Sequence, residues 1–445
     1  MKIETMEYLS DEITDINLLK KMLVALDKIY FEDIEELIKT LKECDYNENV
    51  YEIAVKFDVL QKLGIENQIE LMKEIKVCHV ENIEKISSLT EFKMYLKKLK
   101  EELEIHSGDD SMLKEVKIEL TNKCSRNCKH CSSNATSSIG NLKILDFEDV
   151  SRIIKEAKLM GADTIVFTGG EPLMYDGLPE LVELTSKLGM KSTIYTFAYR
   201  TDETLNKYRQ LIDLGLNKIV YSLADSLSDE EDISVYDKVE FFDKVFENNN
   251  SRLGFHYTVS KDSFSRLESV VTETIETFKS RCYFDRVSLL RLVPHGKGTT
   301  DMDLSKEELF AIKNLCLNSN DKDKIRLGTP WNILGIENTP CIIADEIMII
   351  GFDGIAYPCD SIKYFTKLGI SGNIRENSLM EMYDSEYFSN IRKFNVDNSC
   401  STCKDYKICK SGCIGQKIIA NYIEDKDKVK VLKKCINSRD PKCMR

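Results

Sequence analysis

The sequence predicts an α/β fold, a partial (β/α)6 barrel set between a helical N-terminal block and a cysteine-rich C-terminal block. Three observations carry that expectation. Strand-like and helix-like segments alternate six times between about residues 114 and 300. Before them, glycine occurs once and proline not at all up to residue 107. After them, eight of the fifteen cysteines lie beyond residue 320.

The chain has 445 residues, so two or three domains are expected. Residues 1 to 110 make the first, with apolar residues at helical spacing in Ile34, Leu37, Ile38 and Leu41 and again in Phe92, Tyr95, Leu96 and Leu99. The run His106-Ser107-Gly108-Asp109-Asp110-Ser111 brings the first breakers and marks the boundary. Cys44 and Cys78 have no partner at ligand spacing and read as core residues.

Residues 111 to 315 make the barrel. Its strands are expected at Val116 to Leu120, Thr164 to Phe167, Ser192 to Thr196, Lys218 to Leu223, Leu253 to Val259 and Arg286 to Leu292. Helical patterns such as Val150-Ile153-Ile154-Ala157 fall between them, and crossover helices of this kind imply parallel pairing. In such barrels the chemistry sits at the carboxyl ends of the strands. Directly after the first strand come Cys124, Cys128 and Cys131, and after the second comes Thr168-Gly169-Gly170-Glu171-Pro172. Residues 316 to 445 make the last block, with a hairpin expected over Glu346 to Ile350, a turn at Asp353-Gly354, and Ile355 to Tyr357.

Three thiolates without a fourth are an incomplete set for a cubane iron-sulfur cluster, which has four irons and normally four cysteine ligands. One iron is then left for a ligand that is not protein. A zinc knuckle would want a fourth Cys or His at short range, and His130 lies between two of the cysteines, where paired spacing does not place it. Cysteine-three residues-cysteine-aromatic-cysteine, with His130 in the aromatic place, resembles the motif of the radical S-adenosylmethionine enzymes. The resemblance implies a TIM-like partial barrel, a [4Fe-4S] cluster on Cys124, Cys128 and Cys131, and S-adenosyl-L-methionine chelated by the free iron. Gly169, Gly170, Glu171 and Pro172 resemble the family's Gly-Gly-Glu-Pro motif, which holds the methionyl ammonium.

Ser222 and Arg291 are further candidates for the cofactor, Ser222 as a hydrogen-bond donor to its carboxylate or ribose and Arg291, with Arg200, as a cation for the carboxylate. The loop Val293-Pro294-His295-Gly296-Lys297-Gly298 resembles one in peptide-modifying members, where its glycines pass close to the adenine. The sequence departs from the family at Thr196-Phe197-Ala198 and at Ser222-Leu223-Ala224-Asp225.

The last block resembles the SPASM domain. Cys341, Gly354 and Cys359 are followed by Cys400, Cys403, Cys409 and Cys413, and then by Cys435 and Cys443. The resemblance implies one or two auxiliary [4Fe-4S] clusters: Cys400, Cys403, Cys409 and either Cys435 or Cys443 on one, and Cys341, Cys359 and Cys413 on the other. The second set lacks an evident fourth cysteine unless Cys316 or the spare C-terminal one reaches it, which leaves room for an open iron. Asp360 stands where sulfatase-maturating relatives have an acid or base, and is the catalytic candidate.

A net charge of -13 excludes a broad phosphate-binding surface, so no nucleic acid is expected. No apolar run reaches membrane-span length and no secretory signal opens the chain, so no membrane association and a reducing cytoplasm are expected. The resemblance implies an oxidoreductase that generates a 5'-deoxyadenosyl radical and matures a ribosomally made precursor peptide, as in sactipeptide bacteriocin biosynthesis. Thioether cross-linking is the expected bond, with a flavodoxin or ferredoxin-type protein as electron donor. A sulfatase-type maturase or a small-molecule enzyme is the nearest alternative, and a non-catalytic iron-sulfur electron carrier would have no use for residues 169 to 172.

Overall fold

The computed structural model describes residues 113–126, 128–223, 236–336, 341–396, 399–404, 406–409 and 411–443. The expected helical N-terminal block, together with Ala224 and Asp225, lies outside these residues. Six strands alternate with helices: β1 (Glu115–Thr121), α1 (Phe147–Leu159), β2 (Thr164–Gly169), α2 (Leu178–Lys187), β3 (Lys191–Thr196), α3 (Asp202–Asp213), β4 (Lys218–Ser222), α4 (Tyr236–Val245), β5 (Arg252–Val259), α5 (Leu267–Phe278) and β6 (Phe284–Arg291). Each of the six expected strands is present. Pairing from β1 to β6 is parallel throughout, with Ile118 level with Phe167, Phe167 with Ile194, and Ile194 with Ile219.

The two faces of this sheet differ in character. One face carries Val116, Ile118 and Leu120 of β1, Ile165 and Phe167 of β2, Ile219 and Tyr221 of β4, and Phe255 and Tyr257 of β5, all buried. On this side Phe242 of α4 meets Tyr221, Phe255 and Phe278, the aromatic packing expected of a helix laid on a sheet. The other face carries Lys117, Glu119, Tyr195 and His256. Lys117 on β1 reaches the Tyr195 ring on β3 at 5.0 Å, and that ring meets His256 on β5 edge-on at 4.7 Å. Contacts across nonadjacent strands show that the sheet curls around a lumen. Barrels of this class usually fill their interior with branched aliphatic side chains, whereas this one lines it with ionisable groups.

The sheet continues on both sides of the six strands. After α6 (Lys306–Asn318), β7 (Ile325–Leu327) pairs parallel with β6. The expected barrel limit at residue 315 therefore falls inside α6, and one more strand follows it. On the other side, β8 (Ile347–Ile350) pairs parallel with β1, and β9 (Ala356–Tyr357) returns antiparallel to β8. This is the expected hairpin, turning at Gly354 with φ +82°, a conformation that glycine adopts without strain. The strand order is β7-β6-β5-β4-β3-β2-β1-β8-β9. The hairpin of the C-terminal block is thus a direct extension of the barrel, and the two form one compact unit.

Beyond the hairpin come α7 (Leu379–Tyr383), α8 (Glu386–Val396), α9 (Tyr406–Cys409), α10 (Ile414–Asn421) and α11 (Lys428–Ile436). A buried ion pair holds the end of this block to the barrel. Arg291, the last residue of β6, donates to both carboxylate oxygens of Asp440 at 3.1 Å and to the Pro330 carbonyl at 3.1 Å. Asp440 in turn accepts from the backbone N–H of Cys413 at 3.1 Å and of Lys442 at 2.9 Å. Among the described residues no helix is long and apolar enough to cross a membrane.

Candidate active site and metal centres

The loop after β1 folds back on itself. Cys124 N–H donates to the Thr136 carbonyl at 3.1 Å and Thr136 N–H to the Asn122 carbonyl at 2.9 Å. Within this return the thiol sulfurs accept backbone N–H groups, Cys124 Sγ from Arg126 and Cys131 Sγ from Ala135, both at 3.4 Å. Such bonds favour a thiolate. Burial above all pushes the Cys124 thiol up to about 11, with Glu171, Cys128 and Cys131 adding to it as anionic neighbours. Added positive charge at this loop would hold the Cys124 sulfur as a thiolate against that rise.

The two glycines after β2 serve this same loop. Gly170 N–H donates to the Thr121 carbonyl at 2.6 Å and Glu171 N–H to the Lys123 carbonyl at 2.8 Å. A Cβ on Gly169 would stand 2.4 Å from the Thr121 oxygen, and one on Gly170 would stand 2.1 Å from the Lys123 oxygen. The backbone approach that the glycines permit is therefore to the cysteine loop. Glu171 is buried and accepts from Leu173 N–H (3.1 Å), Thr196 Oγ1 (2.8 Å) and Phe197 N–H (2.8 Å). It ties the β2 loop to the end of β3. Phe197 and Tyr199 both lie against the Arg126 guanidinium, at 3.9 and 4.1 Å from their ring centres.

The loop after β6 makes a third wall. Lys297 donates from its backbone N–H to the Cys131 carbonyl at 3.0 Å and from Nζ to the Ala135 carbonyl at 2.7 Å. A Cβ on Gly296 would meet the Cys131 oxygen at 2.5 Å. This glycine packs on the last cysteine of the loop. Ser222 stands half-buried at the carboxyl end of β4, level with His256.

Arg291 does not face this site. Both its terminal nitrogens are taken up by Asp440 and Pro330, so its expected role as a cation for the cofactor carboxylate is replaced by a structural one. The reason is a long-range pairing: Asp440 lies 149 residues further along the chain.

The downstream cysteines fall into two groups. Cys341 and Cys359 are each pushed up to about 12, first by burial, and each is raised further by anionic neighbours that include Cys413. Ser361 joins this group, its N–H donating to Cys359 Sγ at 3.4 Å and its Oγ accepting from the Cys413 thiol at 3.5 Å. In the other group burial pushes Cys409 up to about 11, with Cys443, Asp440 and Cys400 adding to the rise. Cys403 is exposed. Cys435, an expected ligand candidate, is fully buried on α11 beside Val431, Leu432 and Ile436. It is a core residue of an amphipathic helix, and Cys443 is the C-terminal cysteine that stands with Cys400 and Cys409. Cys316 is likewise buried on α6 with Leu309 and Ile312.

A buried polar network joins the first cysteine loop to the Cys359 loop. Glu119 Oε1 accepts from Lys363 Nζ at 2.7 Å and from Ser133 Oγ at 2.5 Å, while Tyr364 OH donates to Oε2. Lys363 also reaches Ser133 Oγ at 3.1 Å. Asp360 is paired with Lys117 and lies 3.6 Å from Lys363. Burial opposes its ionisation, but Lys117 and then Lys363 outweigh burial and hold its carboxyl at about 2. Held between Lys117 and Lys363, Asp360 is a fixed anion beside Cys359.

Lys117, Glu119, Ser133, Lys363 and Tyr364 were not singled out from the sequence. The available signal was the alternation Val116-Lys117-Ile118-Glu119-Leu120-Thr121 in a strand flanked on both sides by others.

Among the described residues no three His, Cys, Asp or Glu side chains converge tightly enough to hold a single metal ion. Zinc would draw its sulfurs to about 2.3 Å from one point, whereas a four-iron cube takes each thiolate on a different iron. The N–H groups aimed at Cys124, Cys131 and Cys359 Sγ suit sulfurs held as thiolate ligands.

Residues 118–251 match the radical SAM superfamily and residues 341–404 match the SPASM iron-sulfur cluster-binding domain. A GTP 3',8-cyclase of Clostridium perfringens is 26% identical over 233 residues, which is 50% of this chain and 69% of that protein. Streptococcus suis SuiB bound to S-adenosylmethionine has the same fold, with a TM-score of 0.57 over 94% of each chain at 18% identity. SuiB bound to its precursor peptide SuiA gives the same score over 88% of this chain and 90% of that one, at 19% identity. Native anSMEcpe with bound AdoMet and the Cp18Cys peptide gives 0.50 over 73% of this chain and 95% of that one, at 17% identity. The chain therefore carries a radical S-adenosylmethionine domain followed by a SPASM domain. It is an enzyme of that type, with iron-sulfur clusters and S-adenosylmethionine as cofactors.

Gly170→Ala is expected to push the Lys123 carbonyl, and the cysteine loop with it, out of place. Iron analysis of the anaerobically prepared variant should show loss of about four irons per chain, with the downstream groups still loaded. The lumen carries a pH signature as well. Burial, then Lys117 and Lys218, push His256 down from 6.5 to about 3. Below pH 6.5 the unfolded chain takes up a proton that the folded chain refuses, so stability falls as the pH drops from 6.5 to about 3. Urea unfolding across that window should show a shallower pH slope for His256→Gln than for the unaltered protein.

Proposed function

We propose that this radical S-adenosylmethionine enzyme matures a ribosomally made peptide, closing a thioether between a cysteine sulfur and a carbon by oxidative cross-linking. The observation that carries this reading is the union of two cysteine groups at one polar lumen. The loop of Cys124, Cys128 and Cys131 and the loop of Cys359 share Glu119, Ser133 and Lys363. Closing such a bond removes two hydrogen atoms from the peptide. A centre beside the site of abstraction gives the remaining electron somewhere to go.

In this reading Cys124, Cys128 and Cys131 hold the first cluster. S-adenosylmethionine bound at that cluster, once a flavodoxin or ferredoxin-type donor has reduced it, supplies abstraction of hydrogen from an unactivated carbon. Gly169, Gly170, Glu171 and Pro172 keep the cysteine loop seated and form one wall of the cofactor site, and Ser222 forms the opposite wall. Cys341, Cys359 and Cys413 hold one auxiliary cluster, and Cys400, Cys403, Cys409 and Cys443 hold the other. Asp360 acts as a fixed anion that positions Lys117 and Lys363, and the lumen they line orients the peptide and keeps water from the reacting carbon. The peptide as substrate is supported by SuiB and anSMEcpe, which share the fold and were solved with peptides bound. A small-molecule substrate is the second reading, favoured by the likeness to a GTP 3',8-cyclase.

The test is anaerobic co-expression with small cysteine-containing peptides encoded beside the gene, followed by mass spectrometry. The expected product lacks two hydrogen atoms and its cysteine no longer alkylates. 5'-Deoxyadenosine should be formed alongside it, and Cys124→Ala should abolish both. Formation of 5'-deoxyadenosine with every peptide unchanged would overturn the peptide in favour of a small molecule. No 5'-deoxyadenosine from the reduced, iron-loaded protein would leave only an electron carrier.

A further inference from the structure

Among the described residues, Lys417 is the largest charged side chain that is fully buried. It lies on α10, one turn after Cys413, with 0% of its surface exposed. A lysine is almost never fully buried unless it is paired. Among the described residues no carboxylate comes within ion-pair distance of it, and Nζ donates one hydrogen bond, to Ser411 Oγ at 2.8 Å. The carboxylate whose charge acts on it, Asp440, is already committed to Arg291. The remaining groups whose charge acts on it are thiols, and they come from both downstream groups: Cys400 from one, Cys341 and Cys413 from the other. Burial itself works against a charge on Lys417, and an uncompensated ammonium here would be strongly destabilising.

The missing compensation follows from the iron-sulfur reading, on which this inference rests. A four-iron cube held by three or four thiolates is an anionic group, and thiols of both downstream sets act on Lys417. We propose that Lys417 is the buried counter-charge shared by the two auxiliary iron-sulfur groups, and that its ammonium raises the reduction potential of both. Net charge and hydrogen bonding around the sulfurs are among the levers that set such potentials. A cation placed between two anionic centres favours the reduced, more negative state of each, and it lowers the repulsion between them when an electron is present on either. Lys417 thus acts through the clusters as a positioning and tuning residue, and it would ease acceptance of the electron left by the substrate.

The test compares the iron-loaded full chain with Lys417→Met, Lys417→Gln and Lys417→Arg by redox titration followed by electron paramagnetic resonance. Met and Gln remove the charge, and Gln keeps a donor for Ser411. With iron content unchanged, both should shift the auxiliary signals at least tenfold toward the oxidised form, about 59 mV for a one-electron centre. Lys417→Arg should stay close to the unaltered protein, and the potential of the Cys124-Cys128-Cys131 cluster should not move in any variant. Unchanged auxiliary potentials in iron-loaded Met and Gln variants would overturn the proposal. If Met and Gln fail to load the downstream groups while Arg loads them, the charge is required for assembly and the proposal stands. Failure of all three would make the side chain's shape the requirement and overturn it. Absence of auxiliary signals from the unaltered protein would instead overturn the iron-sulfur reading of the downstream cysteines, and it is read before any variant is made.

Discussion

The ion pair between Glu119 and Lys363 is the constraint on which the rest of the site depends. Both side chains are buried, and both belong to segments that carry the chemistry: Glu119 lies five residues before Cys124, and Lys363 lies four residues after Cys359. Removing one partner would strand the other charge in the interior, at a cost of about 3–5 kcal/mol. The pair therefore fixes the cysteine loop of the barrel against the cysteine loop of the C-terminal block. Parallel pairing of β8 with β1 brings the same two segments together at the level of the backbone. Sheet and ion pair act together, so the two centres are built as one body rather than as two domains joined by a linker.

The barrel wall does its part through close backbone contact. The glycines of the β2 and β6 loops approach carbonyls of the cysteine loop at distances that no Cβ would tolerate, so the loop is held on two sides by main chain. Side chains complete the enclosure: Glu171 binds the β2 loop to β3, and Arg126 is laid on Phe197 and Tyr199. These contacts give the loop a defined shape. Such preorganisation is what a site needs when its thiols must accept iron and its open side must accept a cofactor.

Much of the fold was legible in the sequence because it rests on local signals. The alternation of strand and helix patterns gave all six barrel strands, and Asp353-Gly354 gave the hairpin. The short strand Ile325–Leu327 has too few residues to register as a pattern, and it exists only because the edge of β6 is there to receive it. The spacings Cys124-Cys128-Cys131 and Cys400-Cys403-Cys409 were legible for the same reason as the hairpin, since each lies in one short stretch of chain. Long-range pairings were not. Arg291 could not be separated from the cofactor without knowing that Asp440 returns beneath it. Cys435 could be set apart from Cys443 only once α11 had turned its apolar face inward. The polar face of β1 reads in sequence like a solvent-facing stripe, because nothing local tells a lumen from bulk water.

The central claim is that the three cysteine groups hold three separate iron-sulfur centres. Iron and acid-labile sulfide counting, with Mössbauer spectra of the unaltered full chain prepared without oxygen, tests it most directly. About twelve irons per chain, all in four-iron groups, are predicted. Four irons per chain, with zinc on the downstream cysteines, would contradict the account.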